Sequence, residues 1–315
     1  MPNIEILFAD VADALGIGAT SIVEKDYYVV ELLRLLQPLK FETHDLVFAG
    51  GTSLAKANVQ LNRMSEDVDI KLVPKPQIVL TRTKAKSIRK QLLHQVKYII
   101  SQSDIFQIES DLVVCDEYRY IELLIRYPQH FNQAPCLRPF IKLELVETEL
   151  LEPFELRKIT SFVYDLAKEG EPVGGFPSVT VASTSVEKLI AILRRTAAFS
   201  RNVERTDEES LVRHVYDYFK ITYGKSQDFV YLGQLASKVI KTDIERYGRQ
   251  HAQMVKDPIA ELLFGLGELG HNPMYQQRFN DFVSPMVFGD EQITWVQAYS
   301  HFQDSVRKIL IEVGF

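Results

Sequence analysis

The sequence has few of the residues that build covalent or metal-linked frameworks. Only two of its 315 residues are cysteines, Cys115 and Cys136, which excludes a disulfide framework and a zinc-finger spacing. No apolar run approaches the roughly 18–20 residues that a membrane-spanning helix needs. No cationic segment precedes an apolar stretch at the N-terminus, so we expect neither a secretory signal nor a membrane partner. These absences favour a cytoplasmic protein.

Several catalytic signatures are also missing. The seven histidines form no H-E-x-x-H pattern, and the sequence has neither G-x-S-x-G nor the Walker pattern of P-loop proteins. A zincin, an α/β-hydrolase and a P-loop ATPase are therefore disfavoured. The net charge of −6 argues against a protein that coats nucleic acid through its overall field. A local basic patch remains compatible with that charge.

The remaining composition is that of a folded two-domain protein. Apolar residues make up 46% and charged residues 25%, and 315 residues suggest two domains at roughly 100–200 residues each. Strand-like and helical patterns mix up to about residue 180, and helical patterns dominate afterwards. The glycine- and proline-rich residues 170–177 have the composition of a loop or interdomain joint. We predict an α+β fold, with a mixed-sheet domain at 1–180 and a helical domain at 181–315.

The individual elements follow from periodicity and from turn residues. Residues 22–36 and 52–58 are predicted as helices, and the predicted strands cover residues 46–49, 68–73, 106–114, 118–127 and 141–146. Ser21 with Glu24 fits a capping box for the first helix. Thr184 with Glu187 fits one for a later helix that carries Lys188.

The charge pattern singles out one predicted helix. Residues 70–103 contain eight lysines and arginines but no aspartate or glutamate. Within this stretch Ile88, Leu92, Val96 and Ile99 form an apolar helical stripe, and Lys86, Lys90 and Lys97 fall on the opposite side. These lysines are candidates for binding a polyanion such as RNA. A solvated helix face is the alternative explanation.

The most informative stretch joins a Gly-Gly turn to an Asp-x-Asp pair. Gly50-Gly51 follows a buried strand and precedes a predicted helix start, an arrangement that lets backbone N–H groups approach a phosphate. Asp67 and Asp69 lie two residues apart on the next strand and therefore project from one face. Two neighbouring carboxylates repel unless a cation lies between them, and hard oxygen ligands suit Mg²⁺. The combination predicts phosphoryl-type transfer at metal ions, whereas each part alone is more often a turn or a solvated strand edge.

These residues resemble the nucleotidyltransferases of the DNA polymerase β superfamily. The longer pattern, Gly50-Gly51-Thr52-Ser53-Leu54-x-Lys56 followed by Arg63-x-Ser65-x-Asp67-Val68-Asp69, more particularly resembles the AbiEii/AbiGii toxin family. The segment Glu24-Lys25-Asp26-Tyr27 is also similar to that family, as is the spacing of fifteen residues between Gly51 and Asp67. The resemblance implies a polymerase β-like nucleotidyltransferase domain followed by a helical domain.

The resemblance continues in the second half. Lys188 to Arg195 resembles a helical Lys-Leu-x-Ala-x-x-x-Arg motif, and Arg213-His214-Val215-Tyr216-Asp217 resembles Arg-Asp-x-Tyr-Asp, with His214 in place of the first aspartate. Lys188 is a compact cation that could neutralise a triphosphate, or else a solvated helix lysine. In the family, Asp217 would support Lys188 or the wall of the active site. The alternative is an i,i+4 ion pair with Arg213.

The superfamily resemblance also implies a third carboxylate on a neighbouring strand. Glu144 shares a strand face with Lys142 and is the candidate for the third metal ligand or the general base. A cross-strand salt bridge is the alternative role for Glu144, and Glu122 is the second candidate for the carboxylate. Thr52, Ser53 and Ser65 are candidate phosphate-binding or metal-orienting hydroxyls, with helix capping or a turn as the alternative. Arg63 would reach a phosphate or pair with Glu66.

We therefore expect an enzyme that transfers a nucleoside monophosphate from an NTP with Mg²⁺ as cofactor and Mn²⁺ as the alternative. The expected catalytic residues are Asp67, Asp69, Glu144 and Lys188, with Gly50, Gly51, Thr52, Ser53, Ser65 and Asp217 contributing to nucleotide binding. The resemblance implies a bacterial toxin acting on RNA, with tRNA favoured, and a cognate antitoxin. Arg194 and Arg195 are further RNA-binding candidates. The alternatives are a non-catalytic nucleotide- or RNA-binding protein on the same fold, and nucleotidyl transfer to a protein or small-molecule hydroxyl.

Overall fold

The computed structural model describes residues 4–57, 59, 61–78, 80–202, 208–289 and 292–314. It divides into two compact units. The first unit contains Met1–Asn58 and Met64–Thr180, and the second contains Val59–Arg63 and Val181–Phe315. The chain thus joins the second unit briefly and returns to the first at Met64, three residues before Asp67.

The first unit combines helices with a single mixed sheet. Its helices are α1 (Ile4–Leu15), α2 (Thr20–Leu36), α3 (Gly50–Ala55), α4 (Arg82–Ser101) and α5 (Phe162–Ala167). Its strands are β1 (His44–Ala49), β2 (Val68–Pro74), β3 (Gln107–Cys115), β4 (Tyr120–Arg126), β5 (Ile141–Glu147), β6 (Glu155–Ile159) and β7 (Val173–Ser178). The predicted class of fold, a mixed α/β region followed by a helical region, is confirmed.

The sheet has the strand order β3-β4-β5-β2-β1-β7-β6. Strand β2 pairs antiparallel with β1 and parallel with β5, and β5 pairs antiparallel with β4. Strand β1 pairs parallel with β7 on its other side. Because β1, β2 and β5 are neighbours, residues that are far apart in the sequence meet at the centre of the sheet.

Alternation along β2, β4 and β5 gives the sheet one apolar and one polar face. The apolar residues of these strands pack with α2 and α4 into the main core of the unit. That core includes Val68, Ile70, Leu72, Ile121, Leu123, Ile125, Ile141, Leu143 and Leu145. The intervening residues, among them Asp69, Glu122 and Glu144, are on the opposite face. Helix α4 and these carboxylates are therefore on opposite sides of the sheet.

The capping box that Ser21 and Glu24 were predicted to form at the start of α2 is wrong. Helix α2 begins at Thr20, and Ala19 is its N-cap without a side-chain hydrogen bond. Ser21 Oγ instead accepts from Ala134 N–H at 3.1 Å, and Glu24 Oε1 accepts from His130 N–H at 2.7 Å. Both side chains are buried, so they satisfy a distant segment of backbone in place of the helix terminus.

Other local predictions also need correction. Residues 170–177 were expected to form a loop, but Val173–Ser178 is strand β7, with β1 and β6 on either side. The helix that carries Lys188 begins at Val181, so Thr184 and Glu187 lie within it and cannot form its capping box. The short helix after Gly50-Gly51 begins at Gly50 itself, with Ala49 as its N-cap.

The second unit is helical over the residues that the structure describes. Its helices are α6 (Val181–Ser200), α7 (Arg213–Thr222), α8 (Phe229–Tyr247), α9 (Ala252–Lys256), α10 (Pro258–His271), α11 (Pro273–Phe282) and α12 (Trp295–Ile311). Helices α6 and α10 pack so closely that a Cβ built on Gly265 would lie 2.2 Å from the Leu193 carbonyl oxygen. The segment at 59–63 is attached to this unit by Tyr216, whose hydroxyl donates to the Leu61 carbonyl at 2.7 Å.

Within the described residues, no single helix has the length and apolar composition of a membrane span. Helices α1 and α2 meet the criterion only when they are taken together, and they are bent by 117° relative to each other.

Candidate active site

The Gly-Gly turn holds the second aspartate of the pair. Gly50 has a φ of +74°, and a Cβ built on it would lie 1.7 Å from Asp69 Oδ2. The register explains this proximity, because Ala49 at the end of β1 pairs with Asp69 on β2. Only glycine combines this backbone conformation with space for the carboxylate. The turn and the Asp-x-Asp pair therefore form one structural unit.

The hydroxyls after the glycines are directed into the protein. Thr52 Oγ1 donates to the Asp67 carbonyl oxygen and lies 3.0 Å from Ser65 Oγ. Ser53 Oγ donates to the Phe48 carbonyl at 3.4 Å. Thr52 and Ser53 are both buried, and neither is a helix N-cap. In this arrangement Thr52 and Ser65 fix the backbone that precedes β2 and so orient Asp67. A phosphate role for these hydroxyls stays a prediction.

Cations surround Asp67. Arg138 donates from Nη1 to Asp67 Oδ1 at 2.6 Å, and Lys142 Nζ lies 3.9 Å from Oδ2. Burial raises the pKa of the Asp67 carboxyl above its ordinary value, although Lys142 and Arg138 oppose this effect. The side chain is still 26% exposed, so solvent and ligands can reach it.

Glu144 lies in register with Asp69 on the neighbouring parallel strand. Lys142, on the same strand face, donates to Glu144 Oε1. The lysine partner is therefore two residues away on the same strand, whereas a cross-strand partner was the expected alternative. Burial opposes a charged Lys142, but Asp67 and Glu144 together raise the pKa of its ammonium group. Lys142 thus links the first aspartate to the proposed third carboxylate.

Glu122 extends the polar face by one more strand. It pairs directly with Glu144 across β4 and β5 and accepts from the Tyr120 hydroxyl at 2.9 Å. Burial, followed by the charge of Glu144, raises the pKa of Tyr120, so its hydroxyl stays protonated at neutral pH. The two candidates for the third carboxylate are therefore cross-strand neighbours, with Glu144 beside Asp69.

The donor set fits a divalent cation in part. Asp67 and Asp69 offer hard oxygen ligands from one strand face, as Mg²⁺ prefers. No group of three or more His, Cys, Asp or Glu side chains among the described residues is arranged to hold a metal ion. Glu144 is aligned with Asp69, but its Oε1 is bonded to Lys142. The two aspartates thus fit the metal, and the contribution of Glu144 stays a prediction.

A buried ion pair involves Glu66, the residue that precedes Asp67. Lys25 of α2 has no exposed side-chain surface and donates to Glu66 Oε2 at 2.6 Å. Burial lowers the pKa of Lys25, while Glu66 acts in the opposite direction. Glu66 Oε2 also accepts from the Arg138 N–H at 2.9 Å, and Lys25 donates to the Arg138 carbonyl at 2.8 Å. The residue before Asp67 is therefore tied to the segment that carries Arg138.

A second buried pair lies beside the first. Lys56, just after α3, bonds to Asp26 of α2 at 2.5 Å, and Asp26 also accepts from the Phe162 N–H at 2.8 Å. Burial raises the pKa of Asp26, while Lys56 opposes this shift. Asp26 thus anchors the C-terminal end of α3, the short helix that begins at the Gly-Gly turn. In the sequence this segment is recognisable only by its family resemblance, and no local pattern marks Arg138.

The second unit contains a separate buried cluster around Asp217. Arg63 binds its carboxylate through Nε at 2.9 Å and Nη2 at 2.8 Å, and Lys188 Nζ lies 3.1 Å from Oδ2. Burial alone would raise the pKa of Asp217, but Arg63 and Lys188 lower it to about 2. In these contacts Asp217 holds Lys188, and Arg63 pairs with Asp217 in place of Glu66, whose partner is Lys25. The roles of Arg63, Lys188 and Asp217 in nucleotide binding stay predictions.

His214 completes this cluster as a neutral group. Its Nδ1 lies 3.1 Å from the Lys188 carbonyl oxygen, which it can reach as a donor. Burial, reinforced by the charge of Lys188, holds the pKa of His214 well below its ordinary value. Lys188 is only 13% exposed, and Asp217 holds its ammonium group. A role of Lys188 in phosphate binding stays a prediction.

The RNA-binding candidates differ in accessibility. Lys86 and Lys90 are exposed on α4 and Lys97 is half-buried there. Arg194 is buried, bonded to Asp243 at 2.7 Å, and stacked on the Tyr247 ring, so it presents little charge to a ligand. Arg195 is more exposed but is paired with Glu208. The lysines of α4 therefore remain the better candidates for RNA binding.

Comparisons with known proteins place the chain in a family. The sequence model of the AbiEii family, described as nucleotidyl transferase AbiEii toxin, type IV toxin–antitoxin system, matches residues 33–307. No curated protein sequence matches the chain. Among solved structures, MenT4, a nucleotidyltransferase toxin from Mycobacterium tuberculosis, is 18% identical, with 88% of this chain and 99% of that chain covered and a TM-score of 0.44. On the family match, the chain belongs to the AbiEii family of nucleotidyltransferase toxins of type IV toxin–antitoxin systems.

Proposed function

We propose that this nucleotidyltransferase uses Asp67 and Asp69 to bind a divalent cation and the triphosphate of an NTP. The observation that carries the proposal is the fit of the Asp69 carboxylate against Gly50, which joins the turn to the aspartate pair. Mg²⁺ is the cofactor we propose, with Mn²⁺ as the alternative. The cation would supply charge neutralisation of the phosphate oxygens at the two aspartates.

The protein's own residues divide the remaining work. Lys188 binds the triphosphate, and Asp217, itself bound by Arg63, holds its ammonium group in place. Glu144 accepts the proton of the attacking hydroxyl, with Glu122 as the second candidate. Positioning and electrostatic stabilisation account for most of the rate in this type of transfer, which suits a site built from fixed charges.

We propose RNA, with tRNA favoured, as the acceptor. The support is the acid-free stretch 70–103, whose lysines Lys86, Lys90 and Lys97 lie along α4. Since α4 and Asp69 are on opposite sides of the sheet, this proposal requires an acceptor that extends from one side of the sheet to the other. We further propose that the protein acts in the cytoplasm and that a cognate antitoxin is its partner.

The decisive experiment incubates the purified protein with each α-³²P-labelled NTP, Mg²⁺ and total RNA, then separates RNA and protein on gels. Label in a tRNA-sized band is the expected result. Label in protein bands alone would overturn the RNA acceptor and leave the transferase. Absence of label with every NTP, beside measurable nucleotide binding, would favour the non-catalytic binding protein. Asp69→Asn and Asp45→Asn, at a half-buried position of β1, serve as the paired inactive and control variants.

A further inference from the structure

Arg138 occupies the carboxylate that the proposed function assigns to a metal ion. Its Nη1 donates to Asp67 Oδ1 at 2.6 Å, and 36% of its side chain remains exposed. The Arg138 guanidinium and a divalent cation at Asp67 would repel each other, because both are positively charged. A cation bound to Asp67 would therefore weaken the Arg138–Asp67 bond.

The backbone of Arg138 is fixed while its side chain is long and accessible. The N–H donates to Glu66, and the carbonyl accepts from Lys25 and from Gln133 Nε2, the last two both at 2.8 Å. Lys25 and Glu66 are almost entirely buried. Rotation of the side chain alone can therefore move the guanidinium away from Asp67 without disturbing the segment that carries it.

Lys142 behaves differently, although it also lies near Asp67. Its ammonium group is bonded to Glu144 and is 3.9 Å from Asp67 Oδ2. A cation on Asp67 would leave Lys142 with its closer partner. Arg138, whose carboxylate partners are Asp67 and, more distantly, Glu66 Oε1 at 3.9 Å, would lose its main contact. Its planar donors match a phosphate group in two parallel hydrogen bonds.

We propose that Arg138 exchanges partners: it neutralises Asp67 in the free enzyme and binds the triphosphate of the NTP once a divalent cation occupies Asp67. This inference rests on the proposed function and adds a phosphate-binding residue to it. It couples the two ligands, since the cation releases the arginine that the nucleotide needs. NTP and cation should therefore bind with positive cooperativity that depends on Arg138.

The test compares Arg138→Gln with wild type by calorimetry, using α,β-methylene NTP analogues in Ca²⁺ or in EDTA. Loss of charge-assisted hydrogen bonds predicts roughly 10- to 100-fold weaker nucleotide binding in Ca²⁺. Less than about a threefold change is expected in EDTA, where Asp67 already holds Arg138. Without nucleotide, removal of the competing charge should tighten Mn²⁺ binding by about tenfold, as read by electron paramagnetic resonance.

Two further variants distinguish exchange from a structural role. Arg138→Lys keeps the charge and should restore Mn²⁺ affinity to near the wild-type value, with nucleotide affinity in between. Arg126→Gln, an exposed arginine of β4, should leave both affinities unchanged. Weaker Mn²⁺ binding in Arg138→Gln, or an equal loss of nucleotide affinity in Ca²⁺ and EDTA, would overturn the exchange. A wild-type protein that binds no nucleotide would overturn the proposed function itself.

Discussion

The Asp69 carboxylate occupies the space where Gly50 would carry a side chain, with Oδ2 1.7 Å from the position of a Cβ. The contact explains why the glycine turn and the aspartate pair belong together, although nineteen positions separate Gly50 from Asp69 in the sequence. Any side chain at position 50 must displace either the turn or the carboxylate. The turn therefore fixes the position of Asp69, one of the two proposed metal ligands.

Gly50→Ala should therefore remove most activity in addition to its cost in stability. Gly224 is a matched control, because its φ is +72° and nothing lies within 4 Å of its Cβ position. Gly224→Ala should cost about 1 kcal/mol through backbone strain and keep full turnover. Urea denaturation and nucleotidyl transfer on both variants check this. Equal effects of the two substitutions on turnover would contradict the role of the Gly50–Asp69 contact.

Asp69→Asn and Asp67→Asn should each reduce transfer by at least about 100-fold, since even outer-shell groups of metal sites change activity by about 10–100-fold. Burial raises the pKa of Asp67, so its charged form is disfavoured in the folded state. Asp67→Asn should consequently leave the free energy of unfolding at pH 7 unchanged or higher. Asp45→Asn on β1 is the control. Near-normal turnover in either site variant would exclude the metal assignment.

Asp217 should contribute to stability in a pH-dependent manner. Its folded-state pKa of about 2 is below the ordinary value of 3.8, so the contribution is full above pH 4 and disappears as the pH falls towards 2. The shift corresponds to roughly 2 kcal/mol. Asp217→Asn leaves Arg63 and Lys188 without their carboxylate and should cost about 3–5 kcal/mol at pH 7. Denaturation from pH 7 to pH 3 should show that the difference in the free energy of unfolding between wild type and Asp217→Asn narrows. Asp304→Asn, at an exposed position, should stay close to wild type at each pH.

His214 should destabilise the protein in mild acid without entering the chemistry. Its folded-state pKa lies well below 6.5, so the unfolded chain takes up the proton first and stability falls as the pH drops below 6.5. The free energy of unfolding should therefore be lower at pH 5.5 than at pH 7.5. His214→Gln should remove that slope, and exposed His271→Gln should retain it. A pH-independent difference between His214→Gln and wild type would show that His214 does not titrate in this way.

The central strands could be predicted because each carries its own alternation. Strands β2 and β5 follow from residues 68–73 and 141–146, and their pairing brings Glu144 level with Asp69, as the sequence reasoning expected of a third carboxylate. Strand β7 could not be predicted, because Gly174, Gly175 and Pro177 are loop residues by composition. Its conformation depends on pairing with β6 and β1. For β2 and β5 the local sequence pattern agrees with the pairing in the sheet, whereas for β7 the two conflict.

Some residues of the candidate site likewise have a local sequence signal, and others do not. Asp67 and Asp69 are recognisable from spacing, and Lys188 from a helical motif. Arg138 has no local signal, because it lies in an irregular segment 71 residues away from the carboxylate that it binds. Ser21 and Glu24 had a misleading signal, since a capping pattern was present but both side chains bond to residues more than 100 positions away. Functional contacts of this kind are fixed by packing and not by spacing.

The final prediction concerns the acceptor. Replacement of Lys86, Lys90 and Lys97 by glutamine should weaken RNA binding and flatten its dependence on salt. Each phosphate contact contributes about 0.7–0.9 to the slope of log affinity against log salt, so three lost contacts should reduce it by about 2–3. NTP affinity should be unchanged, because α4 and Asp69 are on opposite sides of the sheet.

A matched triple variant of exposed lysines elsewhere, Lys168, Lys225 and Lys241, controls for net charge. RNA affinity is measured at several salt concentrations for wild type and both triple variants. The overall charge of −6 makes the comparison sensitive, since a polyanion must be attracted by local patches against a repelling background. Equal slopes for wild type and the α4 variant would exclude this helix from the acceptor site. Attention would then move to Arg195 and Arg201 of the second unit, whereas Arg205 lies outside the described residues.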